Sequence, residues 1–289
     1  MNFLGLSNLV HDKASSVLFL QQRGLLHQAR RCQNGHNMIL RLRDNGDRWR
    51  CRIRGCRSEV GLRRDTWFEG SRVQFRKIIL FIYSWSREYS SGIFMQHEIG
   101  FNKNTTVDFN MYMREICAMD LLANPILVGG PNTIVEVDES LFTRRKNHQG
   151  RVLPQQWVFG GICRDTNECF MYAVPNRTAA TLLPIIQVSI RPGTTIMSDL
   201  WRAYGGIAAM GFQHLTVNHQ MNFVDPVTGA HTQKVERSWK SAKRRNKRQN
   251  GTHRQMLDSY LCEFMWRKRH QNDDLFDQIL QDIATYWPL

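Results

Sequence analysis

The second half of this 289-residue sequence predicts an α/β domain with a mixed sheet. β-rich segments alternate with helical ones in a fixed order, and acidic residues stand at the ends of several of those segments. The formal net charge of +14 favours a polyanionic partner such as nucleic acid. A hydrophobic content of 42% is enough for a packed core, which excludes wholesale disorder.

Three regions of the sequence differ in residue pattern. We expect an amino-terminal region over 1–70, a helical region over 71–128, and an α/β domain with carboxy-terminal helices over 129–289. The apolar run 78–83 is far shorter than the roughly 20 residues of a membrane helix, so it predicts a core helix and no membrane partner. The first residues lack the basic start and cleavage site of a secretory signal, which favours an intracellular protein.

The third region has the pattern of three adjacent strands followed by helix, strand, short helix, strand and long helix. In order, the segments are 133–138, 157–165, 169–175, 178–190, 194–199, 200–206, 214–219 and 232–245. A sheet built this way contains both antiparallel and parallel pairs, flanked by helices. The order is that of the ribonuclease H-like fold.

Carboxylates occupy the ends of these elements. Asp138 ends the first strand on the same side as Ile134 and Glu136, because side chains alternate along a strand. Asp199 ends the fourth strand in the same manner, and Glu236 lies early in the last long helix. If the first and fourth strands pair in parallel, their carboxyl ends lie side by side, and the three acids can converge on one point.

Convergence of three acids predicts a metal site, because carboxylates brought together repel one another unless cations neutralise them. Mg²⁺ accepts carboxylate and water oxygens, and two ions about 3.5–4 Å apart can clamp both oxygens of a phosphodiester displacement. Asp138 would bridge both ions, while Asp199 and Glu236 would each hold one. Water or a DNA 3′-hydroxyl would be the nucleophile.

Other interpretations of these acids stay open. An acid at a strand end is often a cap or turn residue, and Glu236 with Lys240 is a plausible surface pair at helical spacing. Glu136 and Glu139 compete with Asp138 for the first position. We favour Asp138 because its short side chain fixes a metal more rigidly.

The motifs "VEVDES", "SDLWRAY" and "VNHQMNFVDPVTGAHTQKVERSW" resemble the catalytic core of Merlin-type DDE transposases, over about 130–270. The resemblance places the D, D, E triad on Asp138, Asp199 and Glu236. It implies two Mg²⁺ or Mn²⁺ ions, hydrolysis at transposon ends, strand transfer into target DNA, and a homo-oligomer on DNA. A DNA-binding regulator that has lost cleavage, or a nuclease acting on RNA–DNA hybrids, are the alternatives.

Polar residues flank the triad in the last motif, namely Asn218, His219, His231 and Gln233. They would bind the scissile phosphate or orient Glu236, and His231 is the preferred catalytic auxiliary. The alternative is that they are ordinary polar residues around a loop.

A basic run follows the third acid. The segment from Arg237 to Arg254, both included, contains eight Lys or Arg and no acid. Such a run is often a solvated face or an import signal, but next to a metal ligand it predicts contact with the DNA backbone. The residues concerned are Lys240, Lys243, Arg244, Arg245, Lys247 and Arg248.

The amino-terminal region predicts a structural Zn²⁺ site over about 30–60. Two short-spaced pairs, Cys32 with His36 and Cys51 with Cys56, are separated by fourteen residues. Four such ligands suit a tetrahedral zinc ribbon, and ordinary thiols with a surface histidine are the alternative. The remaining cysteines stand in apolar segments and are expected in the core: Cys117, Cys163, Cys169 and Cys262.

The helical region suggests a helix-turn-helix, with "GFNKN" as the turn and 104–116 as the recognition helix. Within the resemblance this helix would read the terminal inverted repeats of the transposon. The expected location is the nucleus in a eukaryote, or otherwise the cytoplasm with the nucleoid.

Overall fold

The computed structural model describes residues 1–43, 46–142, 156–248 and 254–289, without the side chains of 245–248 and 254. The chain forms two compact units. One joins Met1–Met119 with Asn272–Leu289, and the other is Asp120–Gln271. This grouping places the last helix with the amino-terminal region, whereas the sequence pattern assigns it to the third region. No helix in the described part of the chain is long and apolar enough to cross a membrane.

The bounds of the elements are as follows. The helices are α1 (Phe3–Leu9), α2 (Lys13–Gln22), α3 (Phe75–Ser86), α4 (Gly92–Phe94), α5 (Lys103–Ala123), α6 (Ala179–Ser189), α7 (Gln233–Arg248), α8 (Leu257–Arg269) and α9 (Leu275–Tyr286). The strands are β1 (Met38–Arg41), β2 (Arg48–Cys51), β3 (Glu59–Gly61), β4 (Ile134–Leu141), β5 (Trp157–Cys163), β6 (Cys169–Val174), β7 (Thr195–Asp199) and β8 (Gln213–Val217).

The first unit contains a small antiparallel sheet in the order β1-β2-β3 and a set of helices. Helix α3 forms its core, and residues 78–83 are all buried, as the apolar run predicts. A π-helix, Met95–Ile99, follows α4 and ends at Gly100, whose φ of 72° is left-handed. Helix α5 starts two residues after Phe101, with the Asn102 side chain capping the amide of Thr105 at 2.8 Å.

The helix before the "GFNKN" turn is therefore the short 92–99 segment rather than α3. The DNA-reading role of 104–116, which lies within α5, stays a prediction.

The second unit is built on a five-stranded sheet in the order β6-β5-β4-β7-β8. Strands β4, β5 and β6 pair antiparallel, while β7 pairs in parallel with β4 and with β8. The mixed α/β architecture predicted from the sequence is confirmed. Because β4 is central and its neighbour β7 is parallel to it, the carboxyl ends of these two strands lie at the same edge of the sheet.

Helices α7 and α8 pack against this sheet. Val235 and Trp239 of α7 and Met265 of α8 belong to the same buried cluster as Val135 and Val137 of β4. Helix α8 lies along β6, where the Met265 sulfur is 3.1 Å from the amide nitrogen of Met171. Cys117, Cys163 and Cys169 are buried and Cys262 is half-buried, in agreement with their expected core positions.

Candidate active site

Two of the predicted acids lie on the neighbouring parallel strands β4 and β7. Asp199 ends β7, whereas Asp138 lies three residues before the end of β4 at Leu141, so the prediction that Asp138 ends its strand is wrong. The parallel register pairs Glu136 with Met197, and two residues further along each strand are Asp138 and Asp199. Paired residues of neighbouring strands project to the same face. Burial raises the pKa of Asp138 to about 8, with further contributions from the charges of Glu139 and Asp199. We call Asp138, Asp199 and Glu236 with their immediate partners the carboxylate edge.

An indole group orients the first acid. Trp239 Nε1 donates to Asp138 Oδ2 at 3.0 Å. Gly160 of β5 stands directly opposite Asp138 in the antiparallel register. A Cβ at Gly160 would lie 2.9 Å from the Trp239 ring and 2.6 Å from the carbonyl oxygen of Phe170. The glycine thus leaves the space in which the tryptophan reaches Asp138.

Glu136 is fully buried and anchors the start of α7. Its Oε2 accepts the backbone amides of Lys234 and Val235 at 2.7 and 2.9 Å, as a carboxylate does at a helix amino terminus. Its Oε1 pairs with Arg164 Nε at 2.6 Å and lies 3.3 Å from His231 Nδ1. Glu136 is therefore occupied by protein partners.

Helix α7 follows β4 along its length. The helix contacts every second residue of the strand: Val235 contacts Glu136, Trp239 contacts Asp138, and Lys243 contacts Ser140. Successive contacts are therefore four residues apart on the helix and two residues apart on the strand. Four helical residues rise about 6 Å and two strand residues about 6.6 Å, so the two elements stay in step. This match holds the Glu236 backbone beside the strand that carries Asp138.

The third predicted acid has its own set of partners. Glu236 is 52% exposed, and its Oε1 accepts from the hydroxyl of Thr232 at 2.9 Å. His219 Nε2 lies 2.8 Å from that hydroxyl and 3.5 Å from the Glu236 carboxylate. Within the ranges that the structure describes, Asp138, Asp199 and Glu236 do not form a group whose oxygens all lie within 4.8 Å of one another.

Glu139 projects to the opposite face of β4 from Asp138. Tyr204 donates its hydroxyl hydrogen to Oε2, and Arg177 Nη1 donates to Oε1 at 3.1 Å. Burial raises the pKa of Glu139 and raises that of Tyr204 well above its usual value. Glu139 is thus held by Tyr204 and Arg177.

An aromatic clamp ties Asp199 to this network. The Arg177 guanidinium lies between the rings of Trp157 and Trp201, 4.2 and 4.4 Å from their centroids. The Trp201 indole donates to the Arg177 carbonyl at 3.0 Å, and its backbone amide donates to Asp199 Oδ1 at 2.8 Å. One tryptophan therefore positions both Asp199 and the arginine that holds Glu139.

The flanking polar residues separate into different roles. His231 lies at Glu136, its carbonyl accepts from Arg164 Nη2 at 2.9 Å, and burial lowers its pKa. His219 contacts Glu236, as described above. Asn218 accepts the amide of Gln220 at 3.0 Å in a turn, and Gln233 is the exposed first residue of α7.

The basic residues of α7 differ in their exposure and contacts. Lys240 and Arg244 are exposed. Lys243 Nζ instead donates to Ser140 Oγ at 2.6 Å and lies 5.1 Å from the centre of the Phe142 ring. The side chains of Arg245, Lys247 and Arg248 lie outside the described part of the structure.

The first unit contains a second candidate metal centre, which we call the Cys/His cluster. The donor atoms of Cys32, His36, Cys51 and Cys56 all lie within 4.8 Å of one another. The first two residues close a turn before β1, where the Cys32 amide donates to the His36 carbonyl at 3.0 Å. Cys51 ends β2, and its amide donates to the Ser58 carbonyl at 3.0 Å.

The distances within the cluster fit a tetrahedral ion. A zinc with Zn–S of about 2.3 Å and Zn–N of about 2.0–2.1 Å places sulfurs about 3.8 Å apart and sulfur and nitrogen about 3.6 Å apart. The Cys32 and Cys56 sulfurs are 3.6 Å apart, and His36 Nδ1 lies 3.6 Å from Cys32 Sγ and 3.7 Å from Cys51 Sγ. Hydrogen bonds from Ser58 lower the pKa of Cys56 to about 5, which favours the thiolate.

Comparisons with known proteins agree with the resemblance at the level of the family. Residues 128–269 match the model of the ISXO2-like transposase domain. An uncharacterized transposase-like protein of Haemophilus influenzae is 31% identical over 114 residues, which are 39% of this chain and 89% of that protein. The chain belongs to this transposase family. The narrower Merlin-type assignment stays a prediction.

Two solved structures are similar to part of this transposase-family chain. The HTLV-2 integrase catalytic core domain in complex with magnesium is 13% identical, covering 47% of this chain and 86% of that one, with a TM-score of 0.30. A chain of the simian T-cell lymphotropic virus intasome in complex with a PP2A regulatory subunit is 14% identical, covering 64% and 67%, with a TM-score of 0.32. At TM-scores this low, the two alignments carry no conclusion about this chain.

Several functional contacts are absent from the sequence prediction. The anchoring role of Glu136, the Trp239 contact with Asp138 and the Arg177 clamp all join residues far apart in the sequence. One signal was available. Trp201 and Trp239 stand two and three residues after Asp199 and Glu236, inside the motifs "SDLWRAY" and "ERSW".

Proposed function

We propose that the protein is a DNA transposase that cuts at transposon ends and joins them to target DNA. Asp138, Asp199 and Glu236 would hold its divalent cations in a ribonuclease H-like domain. The observation that carries the proposal is the position of Asp138 and Asp199 on two adjacent parallel strands, each two residues beyond the Glu136–Met197 pair and facing the same side. Membership of a transposase family supports the choice of DNA as substrate.

The donor set fits a divalent cation such as Mg²⁺ or Mn²⁺. Carboxylate oxygens are the ligands that these ions prefer. The raised pKa of Asp138 shows a carboxyl whose charge is opposed by burial and by two acidic neighbours, and a cation would relieve both effects. When bound, a pair of such ions polarises a phosphodiester and stabilises its attacking and leaving oxygens.

The chain's own residues would prepare the acids for this task. The Trp239 indole fixes the orientation of Asp138, and the Trp201 amide fixes that of Asp199. Thr232, with His219 beside it, holds Glu236 at the start of α7, where a small rotation of its exposed side chain changes its distance from the sheet edge. Groups locked by neighbouring hydrogen bonds keep the precision that a displacement reaction requires.

The Cys/His cluster would hold a structural Zn²⁺. Three sulfurs and one imidazole nitrogen form a closed set of four ligands, which leaves no position for a substrate. We propose that the ion fixes the small β1-β2-β3 sheet as a zinc ribbon that contributes to recognition of the terminal inverted repeats, together with helix α5.

DNA would pass along the exposed side of α7. Lys240 and Arg244 are exposed on this helix, and Glu236 is the sole acid in the sequence of α7. Contacts of this kind bind phosphates irrespective of sequence and bring the backbone to the carboxylate edge. Bringing two transposon ends together would require a homo-oligomer on DNA.

The test is a nicking assay with Mg²⁺ and a plasmid that carries the inverted repeats flanking the gene. Asp138→Asn should abolish nicking yet keep DNA binding, because the side chain keeps its shape and loses its charge. Asp258→Asn, at an exposed position of α8, is the matched control and should nick like the wild type. A variant Asp138→Asn that nicks at the wild-type rate would refute the assignment. Tight binding with no response to metal in the wild type would instead support a regulator without cleavage.

A further inference from the structure

The connection between β8 and α7 exposes large apolar side chains beside the carboxylate edge. Met221 is 77% exposed, Phe223 80% and Val227 91%. We call residues 220–229 the apolar loop. Apolar side chains grouped on an exposed segment commonly mark an interaction site.

The backbone of the apolar loop is held in a defined shape. Asp225 Oδ1 accepts from the amide of Val227 at 3.1 Å, and from the amide and the hydroxyl of Thr228, each at 2.8 Å. The Asp225 amide donates to the Ala230 carbonyl at 2.9 Å, and Gly229 takes a left-handed φ of 70°. Asp225 is the one acid of this loop, and its carboxylate accepts hydrogen bonds from the loop itself. The exposed tips of the loop are therefore apolar.

Both ends of the apolar loop meet the carboxylate edge. His219 directly precedes it and Thr232 closely follows it, and these residues contact Glu236. The helix that continues from it exposes Arg237 and Lys240. The apolar tips therefore belong to a segment that leads directly into Glu236 and a cationic helix, a combination that fits a polyanion with apolar faces inside it.

We propose that the apolar loop inserts Phe223 and Met221 into the base stack of DNA next to the phosphodiester to be cut. This inference rests on the proposed function. Proteins that distort DNA use Phe and Met as wedges between base steps, and an aromatic ring that stacks on a base tolerates any sequence. The adjacent lysine and arginine side chains would hold the backbone while the bases separate.

A protein partner fits this surface less well. Even at about 200 Å² each, three side chains supply less than the roughly 800 Å² that each partner buries in a stable protein interface. The apolar loop has the size of a wedge, and a few side chains are enough to open one base step.

The experiment compares two short duplexes of one sequence, fully paired or with a central mismatch, each carrying 2-aminopurine at the centre, in buffer without divalent metal. The wild type should bind the mismatched duplex about tenfold more tightly, since its bases are already unstacked, and should raise the 2-aminopurine fluorescence of the paired one. Phe223→Ala should lose about tenfold in affinity for the mismatched duplex while binding the paired duplex nearly as before. Phe223→Trp should retain the preference.

The control is Val188→Ala, which removes an equally apolar side chain, 67% exposed, from α6. It should leave both affinities and the fluorescence unchanged. If Phe223→Ala keeps the mismatch preference, or alters self-association instead, the wedge is refuted while DNA binding stands. If the wild type binds neither duplex, the proposed function fails together with the wedge.

Discussion

The two candidate metal centres of this protein are built on opposite principles. In the Cys/His cluster four soft donors already lie at the mutual distances of a tetrahedron, with Cys32 and Cys56 sulfurs 3.6 Å apart. At the carboxylate edge, by contrast, each acid has a separate protein partner: Trp239 for Asp138, Trp201 for Asp199 and Thr232 for Glu236. This is the difference expected between a closed site, which a metal would complete, and an open site, which would bind a ligand.

The largest expected effect is that of chelation, which should unfold the sheet around the Cys/His cluster and leave the sheet of the carboxylate edge folded. Binding of structural zinc is worth about 10–16 kcal/mol in small zinc modules, so its removal should unfold the β1-β2-β3 sheet. Strands β4 to β8 are held by their own core and should keep their protection. Hydrogen exchange before and after chelation measures both sheets in one sample.

The matched variants for this experiment are Cys51→Ser and Cys262→Ser. The first removes a donor of the Cys/His cluster and should reproduce the effect of chelation. The second changes a half-buried thiol of α8 and should leave zinc content unchanged. Equal loss of protection in both sheets on chelation would contradict the distinction between a closed and an open centre.

The carboxylate edge should depend instead on protein contacts, and Glu136→Gln tests this. The substitution leaves Arg164 without its buried counter-charge and weakens the bonds to the first amides of α7. Breaking such a pair costs about 3–5 kcal/mol, so we expect a loss near the lower end in urea unfolding. Glu59→Gln, at an exposed pair with Arg48, should leave the unfolding midpoint unchanged. A Glu136→Gln protein as stable as the wild type would show that the anchor is dispensable.

The contrast between the two centres also explains what the sequence could predict. Spacing alone groups Cys32 with His36 and Cys51 with Cys56, because the donors come in local pairs at the ends of short strands. Alternation along β4 predicts that Asp138 and Glu136 share a face, and the order of the elements predicts the parallel pairing with β7. These features depend on local periodicity and topology, which a sequence displays.

The remaining contacts depend on packing at long range. Glu136 shares the face of Asp138, yet its partners are Arg164 and the start of α7, far away in the sequence, and no local pattern shows that they neutralise it. Lys243 was predicted to bind DNA with its neighbours. Its place four residues after Trp239 puts it on the side of α7 that faces β4, and helical periodicity contained that signal.

A smaller effect should appear in the pH dependence of the metal-free protein. The pKa of Asp138 is about 8 in the folded protein and near 3.8 when unfolded, so between these values the folded state holds a proton that the unfolded state releases. Stability from this group therefore falls as the pH rises from 4 through 8. Asp138→Asn cannot ionise and should be the more stable protein at pH 9.

We expect a difference on the order of 1–2 kcal/mol, since one pKa unit corresponds to about 1.36 kcal/mol and solvent screens part of the shift. Thermal melts at pH 5 and pH 9 in buffer without Mg²⁺ or Mn²⁺, and without a chelator that would remove zinc from the Cys/His cluster, measure it. The two proteins should differ more at pH 9 than at pH 5. If the stability difference between the wild type and Asp138→Asn is the same at both pH values, the raised pKa of Asp138 is contradicted.

The smallest expected effect concerns the cationic side of the carboxylate edge. Replacing Lys240 and Arg244 with alanine should lower the slope of log affinity against log salt for duplex DNA by about 2, because each phosphate contact releases about 0.9 counterion. Stability should not change, since both side chains are exposed.

Lys243→Ala should instead lower stability slightly with little change in slope, because this lysine donates a hydrogen bond to Ser140. Arg191→Ala, before β7 and at the other end of the strand from Asp199, is the control for the slope and should leave it unchanged. If Lys243 lowers the slope as much as Lys240 does, the lysine leaves β4 when DNA binds, and the division of α7 into a strand-facing and a DNA-facing side is wrong.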